Sequence, residues 1–389
     1  MKPPLLIVNA RIVTPSGIVE RGWLASRDDC IESMGSDAPP AGIDAGTIVD
    51  AGGLIALPGF IDVHVHGGDG ADSMDADAEG LSRMARFFAR HGVTAFLATT
   101  WTAPAAAIHR ALATIAANIG PRPDGATLLG AHLEGPYLNS ARAGAQDPRQ
   151  IRRATRDEAL AFLEHGVIRL VALAPEYEEN RWLIEECVRR GITVSAAHTA
   201  ATHNDVLQAA DLGLSQATHT FNAMGALHHR EPGAVGAVLA DDRIACELIA
   251  DNIHVHPAVQ RILIEAKGVR RVILITDAVR GAGLPDGTTY HQDSREIVVR
   301  GGASVLPDGT LAGSGLTMDR ALRNLMAATG QPIEALWPTT SLNAAAAIRV
   351  ADRKGSLEVG KDADVVLVDA SVNVRLTVAQ GTIVHRQNL

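Results

Sequence analysis

Eight short apolar runs, each ending in a polar residue or a proline, alternate with more polar stretches over the central part of the chain. Runs bounded in this way are typical of buried strands, and strands that alternate with helices favour a parallel sheet. Eight such units predict a closed (β/α)8 TIM-like barrel. The runs end near His66, Thr100, Glu134, Pro175, His198, His219, Asp251 and Asp277.

The stretches between the runs have the spaced apolar residues of amphipathic helices, and their alanine content also favours helix. Helices are predicted at Glu79–Arg90, Pro104–Asn118, Asp157–His165, Asn180–Arg190, Asn204–Leu212 and Pro257–Lys267. The segment Gly281–Gly315 breaks this rhythm, because Gly, Pro and Asp residues surround a single strand-like stretch, Arg-Glu-Ile-Val-Val-Arg. We interpret it as a hairpin excursion that overhangs the barrel mouth.

Both ends of the chain differ from this central part. Short alternating stretches broken by Gly, Pro and Asp occur near both termini and predict short strands. We expect the two ends to build one small β-sandwich domain, formed by residues 1–56 and 351–389, beside a barrel over residues 57–350. With 389 residues, 47% of them apolar, the chain can bury one large and one small core.

Composition excludes several classes of protein. The net charge is −9 and no basic run occurs, so neither nucleic acid nor an anionic membrane is expected as a partner. No stretch of about 18 apolar residues and no signal-peptide core is present, so we expect a cytoplasmic protein. The three cysteines, Cys30, Cys187 and Cys246, are widely spaced, which disfavours a disulfide framework or a thiolate zinc site.

The first run ends in a pair of histidines. Active sites of barrels lie at the carboxyl ends of the strands, so the polar residues that end the runs are the candidate functional residues. In Asp-Val-His-Val-His, the period-two alternation of a strand points His64 and His66 to the same side. Two imidazoles on one face can share a metal ion, and a structural role for the pair is the alternative.

Three further run ends supply metal-ligand types. Glu134 is followed by a Gly-Pro turn, and His198 and His219 close two consecutive runs. Each alone has a structural interpretation, as a turn cap or a buried histidine. Together, one carboxylate and two imidazoles favour a catalytic metal site with an open position. Zinc and iron both suit this mixed nitrogen and oxygen ligand set.

Two other features are candidates for chemistry. Asp277 ends the last run, and beside a metal this carboxylate can take a proton from water and return it to a leaving amine; the alternative role is a turn cap. Asn222 and Ala223 lie just beyond the sixth run, and His228–Gly233 places histidines around Arg230. Because arginine binds phosphate in a bidentate way, this region predicts a phosphate site, with a solvated loop as the alternative.

In combination these segments resemble the N-acetylglucosamine-6-phosphate deacetylases of the amidohydrolase superfamily, over essentially the whole chain. His-x-His is widespread in the superfamily, whereas His-Leu-Glu-Gly-Pro, His-Thr-Phe-Asn-Ala-Met and Arg-Glu-Pro-Gly are narrower. The matching segments are Pro58–Gly67, His132–Asn139, Ala197–Thr199, His219–Met224, Arg230–Gly233, Ile249–Val255, Thr276–Ala278 and Leu311–Met318.

The resemblance implies a role for each candidate residue. The implied ligands of the principal metal are Glu134, His198 and His219, and the implied general acid/base is Asp277. The implied contacts of the sugar phosphate are Asn222, Ala223, Arg230 and His254. The implied lining of the pocket is Leu311, Ala312 and Gly313.

Two positions vary among the members of this family. Some relatives have Gln where this chain has His64 and bind one metal ion, whereas others keep both histidines and bind two. The resemblance therefore implies one or two divalent ions per subunit, zinc or iron. Gln146 stands where some relatives have a His thought to polarise the substrate carbonyl; a Gln amide donates a hydrogen bond there but carries no charge. Relatives are dimeric, which implies a homodimer with Arg230 near a neighbour's phosphate site.

The reaction implied by the resemblance is removal of the acetyl group of N-acetylglucosamine 6-phosphate, giving glucosamine 6-phosphate and acetate. The same reaction on the N-acetylgalactosamine epimer is the nearest alternative. Another amidase, such as a dihydroorotase-like enzyme, would carry a modified lysine after the fourth strand, where this chain has Ala172-Leu-Ala-Pro-Glu. A non-catalytic scaffold is disfavoured, because neither a metal ligand nor Asp277 is missing.

Overall fold

Eight parallel strands form the central sheet of the computed structural model, which describes residues 2–43, 45–292 and 295–387. The strands are β1 (Phe60–Val65), β2 (Val93–Thr99), β3 (Gly125–Glu134), β4 (Ile168–Leu173), β5 (Thr193–Ala196), β6 (Gln216–Ala217), β7 (Ala245–Ile249) and β8 (Val272–Ile275). Each strand pairs with the next, and the Asp277 amide donates to the His64 carbonyl, joining β8 to β1. The predicted (β/α)8 barrel is confirmed.

A helix follows each strand, directly or after a loop. The helices are α1 (Ala78–Arg90), α2 (Ala105–Ala117), α3 (Arg156–Leu163), α4 (Glu178–Arg189), α5 (His203–Asp211), α6 (Gly233–Ala240), α7 (Pro257–Lys267) and α8 (Met318–Thr329), with the short α9 (Ile333–Leu336) and α10 (Leu342–Ala347) after them. All six predicted helices are present. The sequence analysis predicted neither α6 nor α8. Helix α6 escaped it because the Gly-Ala-Val-Gly-Ala-Val-Leu-Ala segment is apolar on nearly every side and lacks amphipathic spacing.

The barrel strands are buried on both faces. Strands β1, β2 and β8 have no exposed residue, as expected where helices cover the outside and side chains fill the inside. Helix α1 shows how the outer layer is held: the Asp77 side chain caps its first turn, and Leu81, Met84 and Phe88 lie on its buried face. No helix in the described ranges is long and apolar enough to cross a membrane.

Strands from both ends of the chain form a second sheet. Its strands are Leu5–Thr14, Gly17–Arg27, Cys30–Ser36, Thr47–Asp50, Ile55–Pro58, Val365–Val368, Val374–Ala379 and Thr382–Arg386. The two ends meet where Ile55–Pro58 pairs antiparallel with Val365–Val368, and Leu5, Ile12 and Leu376 belong to its separate core. A small β domain from both termini is confirmed, and the division at residues 56 and 350 stays a prediction.

The excursion between β8 and α8 is a small antiparallel sheet, larger than the hairpin expected. Its strands are Thr289–Gln292, Arg295–Arg300, Ala303–Val305 and Leu311–Ser314. Residues 293 and 294 of this predicted excursion lie outside the described residues. The last strand returns to the barrel, where Ser314 bridges Ala278 next to β8. Shorter strands lie in loops at Gly67–Gly68, Ala71–Asp72 and Gly120–Arg122.

Candidate active site

A cavity of about 230 Å³ lies at the carboxyl end of the barrel strands. Most of the residues singled out in the sequence line it, although their strands are far apart along the chain. Those that line it are His66, Glu134, Gln146, His198, His219, Asn222, Ala223, His254, Asp277, Leu311 and Gly313. His64 lies beneath the surface of the cavity, fully buried, and Ala312 is buried between two lining residues.

The backbone at three strand ends takes a conformation that L-residues rarely adopt. His198, His219 and Asp277 each lie two residues beyond their strand, with φ of 42°, 31° and 48°. Such left-handed positions cost about 1–3 kcal/mol each and persist where the surrounding structure imposes them. They turn the chain so that all three side chains reach the cavity.

Glu134, His198 and His219 form a compact donor cluster. Glu134 Oε1 lies 3.3 Å from His198 Nε2 and 3.2 Å from His219 Nε2, and the two nitrogens are 3.1 Å apart. Tetrahedral ligands at zinc bond lengths of about 2.0–2.1 Å have donor atoms about 3.3 Å apart. Two imidazole lone pairs that face each other also need a cation or a proton between them. The cluster therefore fits a divalent ion.

A second donor cluster shares the same carboxylate. Glu134 Oε1 lies 3.6 Å from His64 Nε2, and Glu134 Oε2 lies 3.3 Å from His66 Nε2. The Nε2 atom of His64 is buried without a hydrogen-bond partner in the described part of the chain. Glu134 thus stands between the two clusters, and no lysine is among the described residues that line the cavity. A lysine-bridged site of the dihydroorotase type has no counterpart here.

Hydrogen bonds behind the cavity determine which ring nitrogen of two histidines faces inward. His64 Nδ1 lies 3.0 Å from Glu247 Oε2, and His198 Nδ1 lies 2.8 Å from the Arg142 carbonyl oxygen. Both partners accept hydrogen bonds, so each holds the proton on Nδ1 and leaves the Nε2 lone pair for a metal.

Asp277 lies against the second cluster. Its Oδ1 atom is 3.4 Å from His64 Nε2 and 3.3 Å from His66 Nε2. Burial alone would raise the pKa of Asp277, but the positive charge of His64 and the hydrogen bond from His66 hold this pKa below its usual value. The side chain is therefore a carboxylate at neutral pH, ready to accept a proton.

Gln146 presents a hydrogen-bond donor to the cavity. Its Oε1 accepts from the Thr102 backbone N–H at 2.8 Å, and its Nε2 donates to Glu134 Oε2 at 2.7 Å. The Thr102 bond settles the orientation of the amide, because a flipped amide would place two donors against each other.

His254 is a cationic group on the cavity wall. Its Nδ1 donates to Asp251 Oδ2 at 2.6 Å, and Asp251 also accepts from the Ile253 and His254 backbone amides. Burial disfavours a charged ring, but the hydrogen bond and negative charge of Asp251, with that of Asp277, raise the pKa of His254. In a chain with net charge −9, a protonated ring at this position could hold an anion.

Arg230 does not reach this cavity. It is exposed on the loop before α6, with Nη1 2.7 Å from His229 Nε2, and it lines a neighbouring cleft with Arg142 and His203. Within one chain the structure therefore separates Arg230 from the other residues predicted to contact the sugar phosphate.

A third group of potential ligands, Asp29, Cys30 and Asp362, lies at the terminal β domain. Its carboxylates already have cationic partners, because Arg353 binds both aspartates and Lys354 Nζ lies 2.8 Å from Asp362. These ion pairs satisfy the carboxylates of the group without a metal.

Sequence analysis overlooked three residues beside the cavity. The Trp101 ring stacks on His66 with ring centroids 3.8 Å apart, and it follows the end of β2. Glu247 is the single carboxylate within an otherwise apolar strand, and this exception is the sequence signal that could have indicated a role for it. Asp62 is buried between the His64 and Thr276 amides, and burial raises its pKa to about 7 although these hydrogen bonds lower it.

Comparison with known proteins agrees with this architecture. The Amidohydrolase family model matches residues 55–384. The chain is 39% identical over 388 residues to the N-acetylglucosamine-6-phosphate deacetylase of Bacillus subtilis (strain 168), covering 98% of both chains. It is also 39% identical over 370 residues to the N-acetylgalactosamine-6-phosphate deacetylase of Escherichia coli O157:H7, covering 94% of this chain and 96% of that one.

Solved structures give the same result. The N-acetyl-D-glucosamine-6-phosphate deacetylase of Mycobacterium smegmatis, a mutant in complex with N-acetyl-D-glucosamine-6-phosphate, matches with a TM-score of 0.91 at 30% identity, covering 98% of this chain and all of that one (100%). The Thermotoga maritima deacetylase matches with a TM-score of 0.87 at 31% identity, with the same coverage. The chain therefore belongs to the N-acetylglucosamine-6-phosphate deacetylase family within the amidohydrolases.

Proposed function

We propose that this chain is a metal-dependent hydrolase that removes the acetyl group of N-acetylglucosamine 6-phosphate and releases acetate. The observation that carries the proposal is the meeting of Glu134, His198 and His219 with Asp277 in one cavity. Relatives that carry this name, 39% and 37% identical over nearly the whole chain, support the choice of substrate.

Glu134, His198 and His219 would hold a divalent ion, zinc or iron. When bound, such an ion polarises a carbonyl and lowers the pKa of water. The donor spacing, and the Nδ1 hydrogen bond that turns His198 Nε2 inward, support this ligand set.

The protein's own groups supply the proton transfers. Asp277 begins as a carboxylate, takes a proton from the attacking water and then donates it to the amine nitrogen as the C–N bond breaks. The Gln146 amide N–H, oriented by Thr102, is a donor for the substrate carbonyl oxygen. His254 is the cation that would meet the sugar phosphate, with Asn222 beside it on the cavity wall.

The test is acetate release by the metal-loaded protein from N-acetylglucosamine 6-phosphate, with unphosphorylated N-acetylglucosamine as a control for the phosphate. Asp277→Asn should lower kcat about 10²–10⁴-fold, because the amide cannot accept the proton. Asp211→Asn is the matched control, since Asp211 is exposed at the end of α5 and should leave kcat unchanged. A fully loaded wild type that is inactive on the phosphorylated sugar would contradict the proposal.

The galacto epimer is the second candidate, because the Escherichia coli relative of that name is as similar to this chain as the Bacillus subtilis one. The two substrates differ in the orientation of one hydroxyl group. The ratio of kcat/KM for the two sugar phosphates decides between them, and a higher value for the galacto sugar would replace the first candidate.

We further propose a cytoplasmic homodimer in which Arg230 contacts the phosphate bound by the partner subunit. The exposure of Arg230 and its separation from its own cavity support an intersubunit role. Mixed dimers of Arg230→Ala and Asp277→Asn chains should regain activity, because one of their two sites would be intact. Mixed dimers without activity would contradict a shared site.

A further inference from the structure

A buried carboxylate lies behind the metal cavity without contacting it. Glu247 is in the middle of β7, and its side chain is completely buried, with 0% exposure. It does not line the cavity, so neither substrate binding nor proton transfer uses it. A buried charge is unfavourable unless hydrogen bonds or an opposite charge compensate it, so its partners indicate its role.

Two of those partners are residues of the two neighbouring donor clusters. Glu247 Oε2 lies 3.0 Å from His64 Nδ1 and accepts from the His219 backbone N–H at 3.1 Å. Glu247 Oε1 accepts from Gln216 Nε2 at 2.5 Å. In the described part of the chain, the His64 ring is its sole ion-pair partner. Glu247 therefore acts on the ring of His64 and on the backbone at the end of β6.

The consequence for His64 is a fixed orientation. With Nδ1 bonded to Glu247, Nε2 points toward Glu134 Oε1 at 3.6 Å and Asp277 Oδ1 at 3.4 Å. None of the described residues forms a hydrogen bond with this buried Nε2 atom. A nitrogen lone pair that faces two carboxylates is repelled unless a proton or a metal cation lies among them, so this geometry suits a metal ion that displaces the proton.

We propose that Glu247 is a positioning residue that makes His64 a metal ligand and so permits a second divalent ion. That ion would be held by His64, His66 and Glu134, beside the first. The inference rests on the proposed function and deepens it, because it assigns control of the second ion, which the family resemblance already implies, to a residue outside the cavity.

Charge balance supports two ions. Three carboxylates, Glu134, Asp277 and Glu247, lie within hydrogen-bonding or ion-pair distance of the histidine rings. Neither lysine nor arginine is among the described residues that line the cavity. Two divalent ions bring four positive charges to these three carboxylates, so the buried site can hold both without an excess of negative charge.

The experiment counts ions in the full-length protein. Metal-free protein is loaded with Zn²⁺, freed of excess by gel filtration and analysed for zinc, and the second ion's affinity is measured against a competing chelator. Wild type should hold two ions per chain and His64→Ala one. Glu247→Gln should weaken the second ion about 10–100-fold, the usual effect of a lost partner behind a metal ligand. In the His64→Ala background, Glu247→Gln should have no further effect.

Asp62→Asn is the matched control, because Asp62 is also buried beside His64 but accepts from its backbone N–H, not from its ring. The Asp62→Asn protein should keep two ions. An unchanged affinity for the second ion in Glu247→Gln, or an equal loss of affinity in Asp62→Asn, would overturn the inference.

If Glu247→Gln does not fold, ¹⁵N NMR of the wild type replaces that variant. The second zinc equivalent should shift the His64 Nε2 signal and leave Nδ1 protonated. A shift of the Nδ1 signal instead would overturn the inference.

The deacetylase assay on the same wild-type preparation separates the two proposals. Two ions without activity on either sugar phosphate would overturn the proposed function and support the role of Glu247. Activity with one ion at saturating Zn²⁺ would overturn the role of Glu247 and support the proposed function.

Discussion

Three histidines in this protein are each paired with a carboxylate that fixes the orientation of the ring. Glu247 holds His64, Asp251 holds His254, and Asp319 lies 3.1 Å from His91 Nδ1. In the proposed function the same interaction serves different ends, because His64 would present a lone pair to a metal whereas His254 would present a positive charge to an anion. The accepting carboxylate therefore decides what each imidazole can bind.

At the residue scale we predict that Asp251→Asn lowers the pKa of His254 and weakens binding of the sugar phosphate. The pKa of His254 is raised, so its stabilising contribution is complete below about pH 6.5 and is lost as pH rises through the raised value. The pKa of Asp251 is lowered, so its contribution is complete above about pH 3.9 and is lost as pH falls through the lowered value.

The loss of stability should therefore be greatest between about pH 4 and 6.5, at about 1.5–3 kcal/mol for a hydrogen bond to a charged group. Denaturant unfolding at several pH values measures the loss of stability, and an NMR titration measures the pKa of His254. His256→Asn, at the exposed cap of α7, is the control. An unchanged pKa of His254 would show that Asp251 does not set its charge.

Among the elements, the excursion between β8 and α8 supplies one wall of the cavity through Thr310, Leu311 and Gly313. We predict that Gly313→Ala raises KM and destabilises the fold by about 1–3 kcal/mol. Gly313 has a φ of +83°, and a Cβ atom there would lie 2.2 Å from Val279 Cγ1, so the wall must shift.

Gly309→Ala is the matched control for this wall. Gly309 has a φ of +87° in the same excursion, but a Cβ atom there would meet nothing within 4 Å. The Gly309→Ala variant should be destabilised by backbone strain in thermal unfolding, but its KM should be unchanged. Equal KM values for the two variants would refute a role for the wall in substrate binding.

For the whole molecule we predict that metal removal destabilises the barrel, and increasingly so at high pH. Burial lowers the pKa values of His64 and His66, but the charges and hydrogen bonds of Glu134 and Asp277 raise them to about 10 and about 9. In metal-free protein their stabilisation is complete below about pH 6.5 and is lost as pH rises through these values. Metal binding strengthens over the same range, because protons compete less.

Thermal unfolding of chelator-treated and loaded protein from pH 6.5 to 10 tests this. The difference in unfolding free energy between loaded and chelator-treated protein should widen with pH. A ligand present at 100 times its Kd raises the unfolding free energy by about 2.7 kcal/mol. A gap that stays constant over this range would mean that protons and metal do not compete for the same histidines.

The junction of the barrel with the terminal β domain depends on a buried ammonium group. Lys354 Nζ lies 2.7 Å from Asp364 and 2.8 Å from Asp362, and all three side chains are buried. Lys354→Met should cost about 3–5 kcal/mol, because it leaves the buried Asp364 carboxylate without its cation and leaves Asp362 with Arg353 alone. Lys361→Met, which removes a more exposed lysine nearby, is the control in denaturant unfolding. Equal losses of unfolding free energy in Lys354→Met and Lys361→Met would mean that burial of the Lys354 ion pairs is unimportant.

Closure of the barrel explains why the sequence alone located so much of the site. Parallel strands in a barrel place all their carboxyl ends at one rim, so residues that end apolar runs meet whatever their distance along the chain. Glu134, His198, His219 and Asp277 could be selected by this rule alone. Helix α6 escaped notice because a helix that is apolar all round has no amphipathic period.

The sequence by itself determined the fold class, the contribution of both termini to one β domain and the residues at the barrel rim, because these follow from local apolar patterns. The tertiary structure decided the pairing of His64 with Glu247, 183 residues apart, and the turning of His198 and His219 through left-handed backbone. It also decided that Arg230 lies in a separate cleft from His254. Such contacts depend on which strands become neighbours when the barrel closes, and no local pattern encodes that.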